Sequence, residues 1–126
     1  EVEICNAGHC PTLWARNGEV SRLEATGLPL GMFSDGQFAV ERIQLSPGDT
    51  LFLYTDGLSE MRNPANTEYG VTRLAELVGQ QRALAPPALT AACLDHVKAF
   101  SGGTPRSDDV TVMAVQRAAR AAASPA

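Results

Sequence analysis

The sequence is poor in cysteine, in positive charge and in long apolar runs, and each shortage removes a class of protein. Three cysteines (Cys5, Cys10, Cys93) in 126 residues are too few, and odd in number, for a disulfide scaffold; they point to a reducing, cytoplasmic compartment. Ten Lys and Arg stand against fourteen Asp and Glu, a net charge of −4, so no nucleic-acid-binding face is expected. No apolar run approaches the ~20 residues of a membrane span, and no stretch has the pattern of a signal peptide. There is no internal repeat. Gly27-Leu-Pro-Leu-Gly31 is no phosphate-cradling loop, because it lacks both the Lys and the following helix. What is present is ordinary for a folded protein: 44% apolar and 19% charged residues, in a length that suits one domain. The first residue is Glu1, inside strand-like sequence, so an N-terminal portion is expected to be missing.

Periodicity divides the chain into strands first and helices later. Glu1–Cys5 alternates as a half-buried strand with Cys5 on its apolar face, and Asn6–Pro11 breaks it. Asn17-Gly18 between Thr12–Ala15 and Glu19–Leu23 signals a hairpin that holds Trp14 in the core or at a sheet edge. Gly/Pro-punctuated loops follow at Thr26–Gly31 and Ser34–Gln37. Phe38–Leu45 reads as a strand with Phe38, Val40, Arg42 and Gln44 on one face and Ala39, Glu41, Ile43 and Leu45 on the other. Ser46–Asp49 is a turn, and the nearly continuous apolar stretch Thr50–Thr55 is a central strand buried on both faces. Val71, Leu74, Leu77 and Val78 predict a helix near Tyr69–Arg82. A second helix starts at Pro86-Pro87, presents Leu89, Ala92, Cys93, Val97 and Phe100 on one face, and ends at Gly102-Gly103. The last strand is Val110–Gln116, followed by an Ala-rich frayed end or tail over Ala118–Ala126.

This order of elements brings distant acids together. Two helices of about 13 residues, each roughly 20 Å long, separate two strands of similar length. One helix runs back along the sheet and the other returns, so the last strand starts where Thr50–Thr55 ends and runs antiparallel to it. Asp56 and Asp108/Asp109 then meet at one sheet edge. Singly, each Asp is an ordinary turn residue. Jointly, converging carboxylates repel unless a cation compensates them, and a hard divalent cation takes such oxygen ligands.

Five segments carry a resemblance: Asn6-Ala-Gly-His9, Gly27-Leu-Pro-Leu-Gly31, Leu45-Ser-Pro-Gly-Asp49, Leu53-Tyr-Thr-Asp-Gly-Leu-Ser-Glu60 and Ser107-Asp-Asp-Val-Thr111. In this order and spacing they resemble the C-terminal half of a SpoIIE-type domain, a bacterial branch of the metal-dependent (type 2C) protein serine/threonine phosphatases. The resemblance covers roughly Glu1–Arg117. It implies an α+β fold, part of a sandwich of two antiparallel sheets with helices outside, and a centre of two Mn²⁺ or Mg²⁺ ions. Asp56 and Asp108 match metal ligands. Asp109 and Gly57 are expected beside the ions, orienting the ligands or ligating directly, and Asn6 and His9 at the rim of the site. No protein nucleophile is implied, since metal-activated water attacks phosphorus. The family's N-terminal aspartates have no counterpart here, and Cys10 intervenes before Pro11 where relatives place the proline directly after His.

The resemblance implies hydrolysis of phosphoserine or phosphothreonine on a regulatory protein of anti-anti-sigma type, in a chain with an upstream sensor or receiver region. Residues 1–117 would be the C-terminal part of the phosphatase domain, and this piece alone is expected to be inactive and to dimerise through exposed sheet edges. A non-catalytic interaction module of degenerate phosphatase fold is the alternative; a small self-contained ligand-binding domain is a third. Zinc on Cys5, His9, Cys10, Cys93 and His96 is disfavoured, because Cys on an apolar face acts as a small hydrophobe. His96 is expected on the surface of its helix. Gly27, Gly31 and Gly57 are expected to supply unusual backbone conformations, and Arg106 to be a solvated loop charge.

Overall fold

The computed structural model describes residues 1–32, 34 and 36–119; the loop expected at Ser34–Gln37 falls partly, and the tail expected over 118–126 mostly, outside them. In chain order the elements are β1 (Val2–Ile4), β2 (Thr12–Arg16), β3 (Glu19–Leu23), β4 (Glu41–Ile43), β5 (Thr50–Tyr54), α1 (Asp56–Ser59), α2 (Gly70–Gln80), α3 (Pro86–Ser101) and β6 (Val112–Gln116). Asn17 and Gly18 both have positive φ, 45° and 84°, the backbone that a two-residue hairpin turn needs. They set Arg16 opposite Glu19 in the β2–β3 pair. Two antiparallel sheets result, β1-β4 and β3-β2-β5-β6.

Three layers follow from strand alternation. Leu13, Ala15, Phe52 and Tyr54 point from β2 and β5 to one face, where Leu74, Leu77 and Val78 of α2 and Leu89, Cys93 and Val97 of α3 bury them. Trp14 and Leu51 point to the other face and meet Ile43 and Leu45, with Val2 and Ile4 of the small sheet packed alongside. Asp49 closes the turn before β5. Its buried carboxylate accepts the Trp14 indole N–H at 3.3 Å and the Ser46 N–H at 2.9 Å. The interior strand β5 is thus covered on both sides, as its apolar run requires. α3 begins with Pro86 in its first turn and ends at Gly102, left-handed at φ 56°.

Three expectations need correction. The strand expected over Phe38–Leu45 shrinks to Glu41–Ile43, because its partner β1 offers three residues, Val2 to Ile4. Upstream of it the chain leaves the ladder: the Phe38 ring packs so closely on Gly27 that a Cβ there would lie 2.6 Å from Cδ1. Cys5 is exposed, since Val2 and Ile4 take the inward positions of β1 and leave the odd positions to solvent. The Asp-Gly following β5 is the first turn of a short helix, α1, which contains a buried Gly57.

Candidate active site

The site grows from the paired ends of β5 and β6, where Tyr54 lies opposite Val112. One residue on, the Thr55 N–H donates to the Thr111 carbonyl at 3.0 Å. The Thr55 hydroxyl accepts the Thr111 N–H at 3.0 Å and donates to the Asp109 carbonyl at 3.5 Å. α1 then starts at Asp56, and Gly57 faces the other segment so closely that a Cβ would strike the Asp109 carbonyl oxygen. The backbone at 55–57 therefore lies against 108–111, as the antiparallel path requires. Asp56, Asp108 and Asp109 are all exposed. The Asp108 carboxylate accepts the Asp109 N–H at 2.7 Å, which fixes its orientation on its own turn.

The Asn6–Cys10 loop stands on the same side. Asn6 is buried and spends its side chain within the loop: Oδ1 accepts the His9 N–H at 2.7 Å and Nδ2 donates to the Cys10 carbonyl at 3.2 Å. Its carbonyl takes the N–H groups of Thr26 and Gly27 at 2.9 and 3.1 Å, which ties the loop to the Gly27–Gly31 segment. His9 is exposed, with Nδ1 3.3 Å from the Cys10 carbonyl. Burial raises the Cys10 thiol above its ordinary pKa, and the charges of Asp56 and Glu60 raise it further. A thiol so placed is held protonated and is a poor nucleophile.

Carboxylates of this kind fit a hard divalent cation by donor chemistry. They fall short in number, because no group of three or more His, Cys, Asp and Glu among the described residues is close enough to hold an ion. Zinc fares no better. Cys93 is fully buried with its thiol pushed up to about 12 by burial, and His96, exposed on α3, is hydrogen-bonded through Nδ1 to the Tyr69 hydroxyl at 2.7 Å. Thr55, which joins the two acidic segments, lies outside the set of expected site residues; its signal is its place immediately before Asp56 at the end of an apolar strand.

The model of the family described as Stage II sporulation protein E (SpoIIE) matches residues 1–118. The chain belongs to the SpoIIE family. Among curated proteins it is 32% identical over 121 residues to Protein IcfG of Synechocystis sp., covering 92% of this chain and 18% of IcfG. It is 38% identical over 60 residues to the phosphoserine phosphatase RsbP of Bacillus subtilis, covering 47% of this chain and 15% of RsbP. Among solved structures, the PP2C domain of Pseudomonas aeruginosa SiaA superposes with a TM-score of 0.75 at 21% identity, over 86% of this chain and 43% of that one. The SpoIIE-family chain thus spans under a fifth of these curated relatives and under half of that domain. The expected α+β fold, antiparallel sheets flanked by helices as part of a PP2C-type sandwich, is the one observed.

Proposed function

We propose that the chain is part of a metal-dependent phosphatase that removes phosphate from phosphoserine or phosphothreonine on a regulatory protein of anti-anti-sigma type. The observation that supports this reading most is the join of Thr55–Gly57 to Asp108–Thr111, which sets acids from two distant stretches at one sheet end. In this reading Asp56 and Asp108 hold part of a set of two Mn²⁺ or Mg²⁺ ions, Asp109 and Gly57 stand beside them, and Asn6 and His9 form the rim. The ions, when bound, would supply an acidified water and neutralise phosphoryl oxygens. Asn6 would hold the rim loop in shape through its four backbone partners, His9 and Cys10 in the loop and Thr26 and Gly27 beyond it. Thr55 would fix the spacing of the two acidic segments, and neutral Cys10 would add no charge.

Residues 1–117 would be the C-terminal part of the phosphatase domain, whose N-terminal half would supply the remaining ligands, in a cytoplasmic protein with an upstream sensor or receiver region; alone, this chain would turn over little or no substrate. No described helix is long and apolar enough to cross a membrane. A homodimer would use the edge strand β6, whose Met113 and Val115 are exposed. The full-length protein should dephosphorylate a phosphoserine protein only with Mn²⁺ or Mg²⁺ added. Asp56→Asn and Asp108→Asn should each lower kcat/KM by about a hundredfold or more with the fold intact by circular dichroism. Phosphoprotein binding without hydrolysis by the wild type would instead make this a degenerate interaction module.

A further inference from the structure

The C-terminal half of α3 and the segment leading to β6 border an open cavity of about 550 Å³. Its apolar wall is made of Met61, Leu94, Val97 and Val110, and Lys98 and Arg106 stand at its polar side. Two of its lining segments adjoin the acids along the chain. Met61 follows α1, which begins at Asp56, while Arg106 and Val110 bracket Asp108 and Asp109. Leu94 is 43% exposed, a large apolar side chain left open to solvent at the cavity.

The charge on this cavity is unusual for the chain. Among the described residues, Arg42 and Arg62 are paired with Glu3 and Glu68, and Arg22, Arg82 and Arg117 donate to Thr72, Gly79 and Leu45. Arg16 and Arg73 stack on Trp14 and Phe100. Lys98, the single lysine of the sequence, and Arg106 are the described cationic side chains with no hydrogen bond, ion pair or aromatic partner. Both line the same cavity, in a chain of net charge −4. Exposed Asp56, Asp108 and Asp109 would repel an acidic substrate segment approaching them; two unpaired cations beside an apolar wall would attract it.

We infer that this cavity is a docking subsite for the stretch of the phosphoprotein next to its phosphorylated residue, taking one apolar side chain against Leu94 and Val97 and acidic neighbours on Lys98 and Arg106. The inference rests on the phosphatase reading and names the sequence character of its substrate. Arg106 and Val110 each lie two residues from Asp108, and extended chain advances about 3.3–3.6 Å per residue, so a few substrate residues next to the phosphoserine span a comparable distance.

The test uses the full-length protein with Mn²⁺, the double variant Lys98→Gln/Arg106→Gln, and three substrates. These are a phosphoserine peptide flanked by Leu and Glu, the same peptide with Ala at the flanking positions, and para-nitrophenyl phosphate. The wild type should prefer the Leu/Glu peptide. The double variant should raise KM for that peptide by about tenfold, the effect of losing two exposed charge contacts, while kcat and the other two substrates change less than about twofold. Equal loss on para-nitrophenyl phosphate would overturn the inference, because the cations would then act on the phosphoryl group itself. Wild-type turnover of both peptides alike, with no response to the variant, would also overturn it and leave the phosphatase reading standing. Wild-type turnover of none of the three would remove both.

Discussion

Gly57 lies in the first turn of α1, is buried, and is not among the residues with positive φ. Its role is therefore space, not the conformational freedom anticipated for it: the Asp109 carbonyl occupies the volume that a Cβ would need. Gly31 is the reverse case, with φ 79° and nothing within 4 Å of the place a Cβ would take, so there the backbone conformation alone explains the residue. Gly27 sides with Gly57, since the Phe38 ring takes its Cβ volume. From sequence the three are indistinguishable, because a glycine kept for contact and one kept for φ look the same. Gly57→Ala must push the 108–109 backbone away from α1, a displacement in a close-packed region that costs about 1–3 kcal/mol. Urea denaturation should register that loss. Metal-dependent turnover of the full-length protein should fall further than the lost stability explains, because the displaced segment carries Asp108.

Elements were legible in the sequence where a period or a turn residue was long enough to register. The Asn17-Gly18 hairpin, the interior strand β5 and the helices α2 and α3 stand close to where alternation and 3.6-residue spacing put them. α1 is four residues long, too short for any period to mark it, although it carries Asp56. β4 shows the opposite failure, an alternating stretch that had no partner strand long enough to pair with. The meeting of β5 and β6 was legible because two helices, one running back and one returning, fix the path, and it holds although α2 has 11 residues and α3 has 16 rather than about 13 each as expected; the cavity lined by α3 was not, because its wall draws on Met61, α3 and Val110, which share no motif. Between the helices and the site, Tyr69 acts as a pin. It is buried, its hydroxyl meets His96 at 2.7 Å and its ring lies edge-on to Phe100 with centroids 5.3 Å apart. Its N–H also donates to the Met61 carbonyl at 2.7 Å, so the segment leaving α1 and the helix α3 are held by one residue. Tyr69→Phe keeps the ring and deletes the hydroxyl, which should lower stability by about 0.5–1.5 kcal/mol. A thermal melt of the variant beside His96→Ala should show similar losses from the two, and little further loss in the double variant.

At the scale of the whole molecule the helix layer and the sheet share one core in which three ionisable groups sit without charge. Burial pushes Tyr54 and Tyr69 from 10.0 up to about 12, and Cys93 from 9.0 to about 12. All three are at most 2% exposed. Each is raised, so its protonated form is the one that the folded state favours. Below about pH 9 all three are protonated in the folded and unfolded chain alike, and their contribution to stability is fully present. As pH climbs, the unfolded chain releases protons that the native core retains, first from Cys93 above about 9 and then from the tyrosines above about 10. Stability should therefore fall continuously between about pH 9 and about pH 12. Urea midpoints measured in reducing buffer from about pH 8 to about pH 11 should be level at first and then decline. Cys93→Ala lowers the whole curve by leaving a small cavity, and its decline above about pH 9 should be shallower than the wild type's, with Cys10 and the two tyrosines left to titrate. A wild-type profile that stays flat to about pH 11 would mean that these groups reach water in the native state and that the helix layer opens from the sheet without global unfolding.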